Sequence, residues 1–292
     1  MADRPPIDEL APERLSAEGI ARYLKRHGLA ARKRHSQNHL VDGQVIEDIV
    51  ELAEPVAGRH ILEIGPGLGV MTGALLARAA RVTAVEVDAR LAAHLRTRYE
   101  VRLADGRLRL VEGDALDIPL ADLVEPPYDL VANLPYHITS PVMHHVLGRG
   151  PRPDRLVVMV QREVAERIAA PPGQMSYLSV FVQYHAAVRV ARIVPAAAFE
   201  PAPKVQSAVL VGQTIPRRLD AQAEDQLWRL VQAGFRERRK MLHNVLPRQL
   251  PQVGRERFER ALAVVGISPD RRPQTVSVEE WLAMAEAVGP IG

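Results

Sequence analysis

His60-Ile61-Leu62-Glu63-Ile64-Gly65-Pro66-Gly67-Leu68-Gly69 is the stretch whose reading decides the fold. Its first half is a short, mostly apolar run that stops at glycines, which reads as a buried strand. Its second half brings three glycines, which let the backbone approach a ligand with no Cβ in the way. Val70 to Ala79 then reads as a helix, so strand, glycine turn and helix follow in order. The glycine spacing is G-x-G-x-G. A dinucleotide fingerprint needs G-x-G-x-x-G or A, and Val70 stands where its last residue would be, which weakens a nicotinamide reading. Glu63, beside the loop, suits a ligand with positive charge better than a pyrophosphate.

Working outward, the alternation continues. Arg81 to Val87, Leu108 to Val111, Tyr128 to Ala132 and Arg155 to Val160 read as strands. Helices are expected at Ala89–Arg98 and Pro141–Leu147, after two earlier ones at Ala17–His27 and Val45–Ala53. Strands alternating with helices imply a parallel sheet covered on both faces. After Pro171-Pro172-Gly173 the pattern changes. Ser176 to Tyr184 reads as a helix, and Ala187–Val194 with Val205–Val211 as a hairpin closing one sheet edge. Pro216 marks a linker. Beyond it the signals are helical, at Gln226–Phe235, Arg238–Leu246, Arg255–Val265 and Val278–Ala287. The expected class is therefore α/β, a Rossmann-like, mostly parallel sheet with an antiparallel edge hairpin, followed by a small helical domain.

The bulk properties narrow the chemistry. The chain has 292 residues, 47% hydrophobic and 25% charged, which is ordinary for a globular protein. It has no cysteine, which excludes disulfides, thiolate metal sites and thiol nucleophiles. No run approaches the roughly 18 apolar residues of a membrane span, and Met1 to Leu15 lacks a secretory pattern, so a cytoplasmic protein is expected. His144-His145 is an adjacent pair without ligand spacing, and no metal is expected. Net charge is only +3, yet the basic residues cluster. Arg22, Lys25, Arg26, Arg32, Lys33 and Arg34 form one group, and Arg236, Arg238, Arg239 and Lys240 another. Such clusters suit a polyanion, although each alone also suits a solvated helix face.

Several polar residues fall at successive strand ends, where open α/β sheets bind ligands. Glu86 ends the second of these strands, about where an acid meets a ribose diol. Asp114 follows the third and could accept from an adenine amino group. A sulfonium nucleoside, S-adenosylmethionine, fits this set better than NAD. Asn133-Leu134-Pro135-Tyr136 ends the fourth strand on the same rim. The Asn133 amide oxygen can accept one hydrogen of an exocyclic amine. The Leu134 carbonyl can accept the other if Pro135 holds the turn. Tyr136 offers a ring for a base to stack on. Two acceptors on an adenine N6 favour a pyramidal nitrogen and free its lone pair to attack a methyl group.

With these motifs in order, the chain resembles the ribosomal RNA adenine N6-dimethyltransferases over roughly residues 30–250. Ser36-Gln37-Asn38-His39-Leu40 resembles the family's Q-N-F-L element, in which Asn38 and Leu40 would contact the cofactor. Glu63 to Gly69, with Gly65 and Gly67, resembles the methionine-binding loop, Glu86 the ribose acid and Asp114 the adenine-side acid. Asn133 to Tyr136 resembles the catalytic N-L-P-Y motif, its Asn also facing the cofactor. Phe199 to Val209 resembles the F-x-P-x-P-K-V-x-S-x-V segment, whose phenylalanine faces the flipped base. Phe235 to Asn244 resembles the basic F-x-x-R-R-K-x-L-x-N helix of the small-subunit branch.

Two departures stand out. The family has Phe at the position of His39, and the small-subunit branch has Gly at that of Ser36. Leu134, the Gly65–Gly69 loop and the Arg238-Arg239-Lys240 segment favour the KsgA/RsmA, or Dim1-like, small-subunit branch. The Erm type, acting on 23S RNA in macrolide resistance, is the alternative, and a non-catalytic assembly factor a further one. The resemblance implies a flexible leader at 1–18, an S-adenosylmethionine-dependent methyltransferase domain at 19–214 and a helical RNA-binding domain at 215–292. It implies dimethylation of two adjacent adenosines in the 3′-terminal hairpin of 16S RNA, by a monomer acting on the small subunit or its precursor.

Overall fold

The computed structural model describes residues 9–29, 38–54, 57–78, 80–148 and 150–291. Residues 1–8 of the expected leader and the basic residues Arg32, Lys33 and Arg34, with His35, Ser36 and Gln37, lie outside them; residues 9–18 of the leader are described and ordered, with Leu10 buried and Pro12–Arg14 in a 3₁₀ turn. Nine strands are present among the described residues: β1 (His39–Leu40), β2 (His60–Ile64), β3 (Arg81–Glu86), β4 (Leu108–Glu112), β5 (Tyr128–Asn133), β6 (Arg155–Gln161), β7 (Ala186–Val194), β8 (Phe199–Glu200) and β9 (Ser207–Thr214). Seven of them form one sheet in the order β4-β3-β2-β5-β6-β9-β7. From β4 to β6 every pairing is parallel, and β9 joins β6 antiparallel, Val157 opposite Val211. The strand order reverses between β2 and β5, which opens a crevice at their carboxyl ends.

Helices α1 (Ala17–Arg26), α2 (Gly43–Ala53), α3 (Val70–Ala77), α4 (Ala89–Arg98), α5 (Glu100–Ala104), α6 (Leu120–Leu123) and α7 (Thr139–Leu147) accompany the sheet. β2 reads as a nearly continuous apolar run because a parallel strand covered on both faces has no solvent side. Asp42 starts α2 by accepting from the Gln44 and Val45 amides, and Val45, Ile46, Ile49, Val50 and Ala53 form its buried stripe. Asp88 caps α4 in the same way at the Arg90 amide. At the amino ends of the strands, Arg59 binds Asp129 through two hydrogen bonds of 2.6 Å. That pairing holds β2 against β5 at the edge away from the crevice.

By contacts the chain divides into two units, residues 1–165 with 189–214, and residues 166–188 with 215–292. Helix α8 (Arg162–Ile168) runs across that division. The second unit holds α9 (Tyr177–His185), α10 (Ala221–Phe235), α11 (Leu242–Gln249), α12 (Arg255–Val264) and α13 (Val278–Val288). Its core gathers Leu227, Leu230, Val231, Leu242, Val245, Leu246, Phe258 and the fully buried Trp281. Among the described residues no helix is long and apolar enough to cross a membrane.

Two expectations need correction. The basic segment is not helical: α10 ends at Phe235, residues 236–240 turn, and α11 begins only at Leu242. The physical reason is the anchoring on either side. Leu242 is buried, and its amide donates to the Arg271 carbonyl at 2.9 Å. Glu237 is tied to Gln249 at 2.9 Å and to Arg248. The chain must break to bring Leu242 inward while Arg238, Arg239 and Lys240 stay exposed. In addition, Val205 lies in a loop, and Phe199–Glu200 forms a separate two-stranded ribbon with β1, pairing Leu40 with Phe199 and His39 with Glu200.

Candidate active site

The loop after β2 makes one wall of the cleft. Gly67 and Gly69 take left-handed φ values of 59° and 80°. A Cβ on Gly69 would lie 2.6 Å from the Leu95 side chain and 2.7 Å from the Tyr99 ring, so no larger residue fits there. The Tyr99 hydroxyl donates to the Gly69 carbonyl at 2.6 Å and steadies the turn. From the next strand end, Glu86 accepts from the Gly67 amide at 3.0 Å and from the Asp88 amide at 2.9 Å. Glu86 is 4% exposed, and burial pushes its carboxyl upward, opposed by those two amides.

One cavity gathers most of the residues singled out above. Asn38, Leu40, Gly65, Gly67, Glu86, Asp114, Asn133, Leu134, Pro135, Tyr136 and Phe199 all line it. Asp114 accepts from the Leu116 amide at 2.9 Å through one oxygen, which fixes its loop. Asn133 ends β5, and the Leu134 amide donates to the Met159 carbonyl at 3.0 Å, extending the pairing with β6 by one residue. Pro135 then turns the chain into a short 3₁₀ helix, Tyr136–Ile138. The Tyr136 hydroxyl meets the Ser207 hydroxyl at 2.9 Å, which orients the ring. Among the described residues no hydrogen bond engages the Asn133 side-chain amide, so both its oxygen and its nitrogen are open to a ligand. Phe199 is brought to the cavity by the β1–β8 ribbon.

Glu63 stands apart. It is fully buried and does not line the cavity; Thr72 on α3 donates to one of its oxygens at 2.7 Å, and the other has no partner among the described residues. Burial pushes its carboxyl up to about 8, against the Thr72 hydrogen bond. Arg236, Arg238, Arg239 and Lys240 belong to the second unit. Sequence reasoning passed over Val87, Ala115 and Ile138, which also line the cavity. Val87 is 51% exposed, an apolar side chain at a strand's carboxyl end, and that position is the signal that could have found it. Among the described residues no cluster of three or more histidine or acidic side chains could hold a metal ion.

A left-handed glycine turn, a buried acid at the second strand end and an open amide at the fourth are the features of a nucleoside-cofactor cleft. They fit S-adenosylmethionine, since the acids Glu86 and Asp114 line the cleft and suit a cationic nucleoside. The family model of ribosomal RNA adenine dimethylases matches residues 28–288. The chain belongs to that family. Ribosomal RNA small subunit methyltransferase A of Anaeromyxobacter sp. (strain K) is 43% identical over 280 residues, covering 91% of this chain and 96% of that one. The enzyme of the same name from Geobacter metallireducens is 39% identical over 276 residues, covering 92% and 99%. Among solved structures, the 23S rRNA methyltransferase ErmE aligns with a TM-score of 0.68 at 29% identity, covering 86% of this chain and 99% of that one. It represents a related but distinct branch. A dimethyladenosine transferase from Plasmodium falciparum, at 0.66 and 24% identity over 84% and 95%, shares the fold. The family is one of S-adenosylmethionine-dependent ribosomal RNA adenine methylation, and the Rossmann-like core seen here is its fold.

Proposed function

We propose that this protein dimethylates N6 of two adjacent adenosines in the 3′-terminal hairpin of 16S ribosomal RNA, on the small subunit or its precursor, in the cytoplasm. The observation that carries the reading is the single cavity joining the glycine loop, Glu86 and Asp114 to Asn133–Tyr136 and Phe199. The small-subunit names of the relatives at 39 to 43% identity support the choice of branch.

Gly65, Gly67, Asn38 and Leu40 would hold the amino-acid side of the cofactor, Glu86 its ribose and Asp114 its adenine. When bound, S-adenosylmethionine supplies an electrophilic methyl group. The target adenosine leaves its stack to reach the cleft, and Tyr136 and Phe199 take its ring between them. The Asn133 oxygen and the Leu134 carbonyl accept the two N6 hydrogens, hold the nitrogen pyramidal and aim its lone pair. Pro135 has no amide hydrogen and fixes the turn on which this depends. The proton released from N6 passes to water. The same contacts serve the second methylation, with one acceptor then facing a methyl group. The exposed Arg238, Arg239 and Lys240 would meet RNA phosphates.

Substituting Asn133→Ala tests the reading. The expected result is a loss of methyl transfer of about a hundredfold or more, with RNA affinity in a gel-shift titration unchanged. Transfer at the wild-type rate would remove Asn133 from the mechanism.

A further inference from the structure

Ser207 lies behind the cavity wall and holds the ring of Tyr136 from there. It is fully buried and does not line the cavity. Its hydroxyl lies 2.9 Å from that of Tyr136, and among the described residues neither hydroxyl has another hydrogen-bond partner. Ser207 begins β9 and stands opposite Gln161, the last residue of β6. The adjoining pair is tied as well: the Arg162 amide donates to the Gln206 carbonyl at 3.0 Å, and the Arg162 guanidinium to the Gln206 side chain at 2.9 Å. The serine therefore stands on a fixed strand end. Tyr136 needs such a hold. Its carbonyl accepts from the Thr139 hydroxyl at 3.3 Å, which steadies the backbone. The torsion that turns an aromatic ring has only broad preferences, however. The plane of the Tyr136 ring is set at its hydroxyl end.

We propose that Ser207 is a positioning residue that acts through Tyr136 and governs the second of the two methyl transfers to each adenosine. This rests on the function proposed above. In the first transfer the N6 lone pair forms the new N–C bond while the sulfonium S–C bond breaks. The electron pair of that bond stays on sulfur, and N6 gives one proton to water. N6 enters this step with two hydrogens, so the Asn133 oxygen and the Leu134 carbonyl each hold one. The second transfer has the same balance, but the nitrogen enters it with one hydrogen and one methyl group. One of the two polar contacts is gone, and the aim of the lone pair depends more on the stacked ring. A ring free to turn therefore costs the second step more than the first, since a misplacement of about 1 Å can cost about a hundredfold in rate. The segment that carries Ser207 also carries Phe199, which lines the cavity. Residues 199–207 thus supply one face of the base site and hold the other.

The test compares the full-length wild-type protein, Ser207→Ala, Tyr136→Phe and the double variant. Each is given S-adenosylmethionine and a limiting amount of small subunits lacking their dimethyladenosines. Mass spectrometry of the nucleosides follows N6-methyladenosine and N6,N6-dimethyladenosine over time. Each single variant is expected to slow the second transfer about tenfold more than the first, so that N6-methyladenosine accumulates. The double variant is expected to be no slower than either single one, because all three remove the same contact. Isothermal titration with S-adenosylhomocysteine is expected to give every variant the wild-type affinity. Single variants that form the dimethylated product at the wild-type rate, equal slowing of both transfers, or losses that multiply in the double variant overturn the proposal. A fall in S-adenosylhomocysteine affinity that matches the loss of rate marks a merely structural role and overturns it too. A wild-type protein that leaves small-subunit RNA unmethylated would instead overturn the proposed function, and this inference with it.

Discussion

Glu63 and His39 are two ionisable groups whose burial works in opposite directions on stability. The Glu63 carboxyl is raised from its ordinary 4.5 to about 8. Its contribution is fully present below 4.5 and is lost as pH rises through about 8, because the unfolded chain gives up the proton first. The His39 imidazole is lowered from 6.5 to about 4, so its contribution is present above 6.5 and is lost as pH falls toward 4. Between pH 6.5 and 8 only Glu63 of the pair is changing. Urea unfolding in that window is therefore expected to show wild-type stability falling by about 2 kcal/mol more than that of Glu63→Gln. The amide oxygen introduced by that substitution can still accept from Thr72, so the variant should fold. Parallel pH profiles would show that Glu63 is ionised in the folded protein. The same residue marks a limit of sequence reading. Glu86, Asp114 and Asn133 are legible because each ends its strand at one rim, and sheet order alone brings those ends together. Glu63 lies one residue inside a strand covered on both faces, and nothing local tells that its side chain turns toward Thr72 rather than into the cleft. His39 was legible as a departure, but its burial against Gly67 depends on a pairing with Glu200, far along the chain.

At the scale of elements, the alternating strands and helices were readable because a buried parallel strand and an amphipathic helix leave different apolar spacings. Expected helix Ala89–Arg98 coincides with α4, and strand His60–Ile64 with β2. The β1–β8 ribbon was not readable, since two paired residues leave no periodic trace. Nor was the turn at 236–240, whose residues are acceptable in a helix. It is Leu242 and Glu237, held by partners distant in sequence, that break it. On the proposed function the break bears on RNA binding, because a turn can spread Arg238, Arg239 and Lys240 over phosphates that one helix face would not reach together. Replacing all three by alanine is expected to weaken binding of the rRNA hairpin. It should also flatten the log–log salt dependence of the binding constant by roughly one for each phosphate contact removed. Filter binding across a salt series measures this, and an unchanged slope would exclude these side chains from the phosphate contacts.

For the molecule as a whole, the fold accounts for why one sheet can carry both halves of the chemistry. Strand order reverses between β2 and β5. The glycine loop after β2, Glu86 at the end of β3 and Asp114 after β4 therefore line one side of the cleft. Asn133 at the end of β5 and the Phe199 ribbon close the other. The glycine spacing departs from a dinucleotide fingerprint at Val70, and carbon methylation through a thiol is excluded by the absence of cysteine. On the proposed function the cleft takes a cationic nucleoside facing a planar amine, as the family assignment supports. The most direct measurement offers the protein purified small and large ribosomal subunits, each lacking its own dimethyladenosines, with methyl-labelled S-adenosylmethionine. The expected result is label in the small-subunit RNA alone, recovered as N6,N6-dimethyladenosine at two adjacent positions. Label in the large-subunit RNA alone would contradict it.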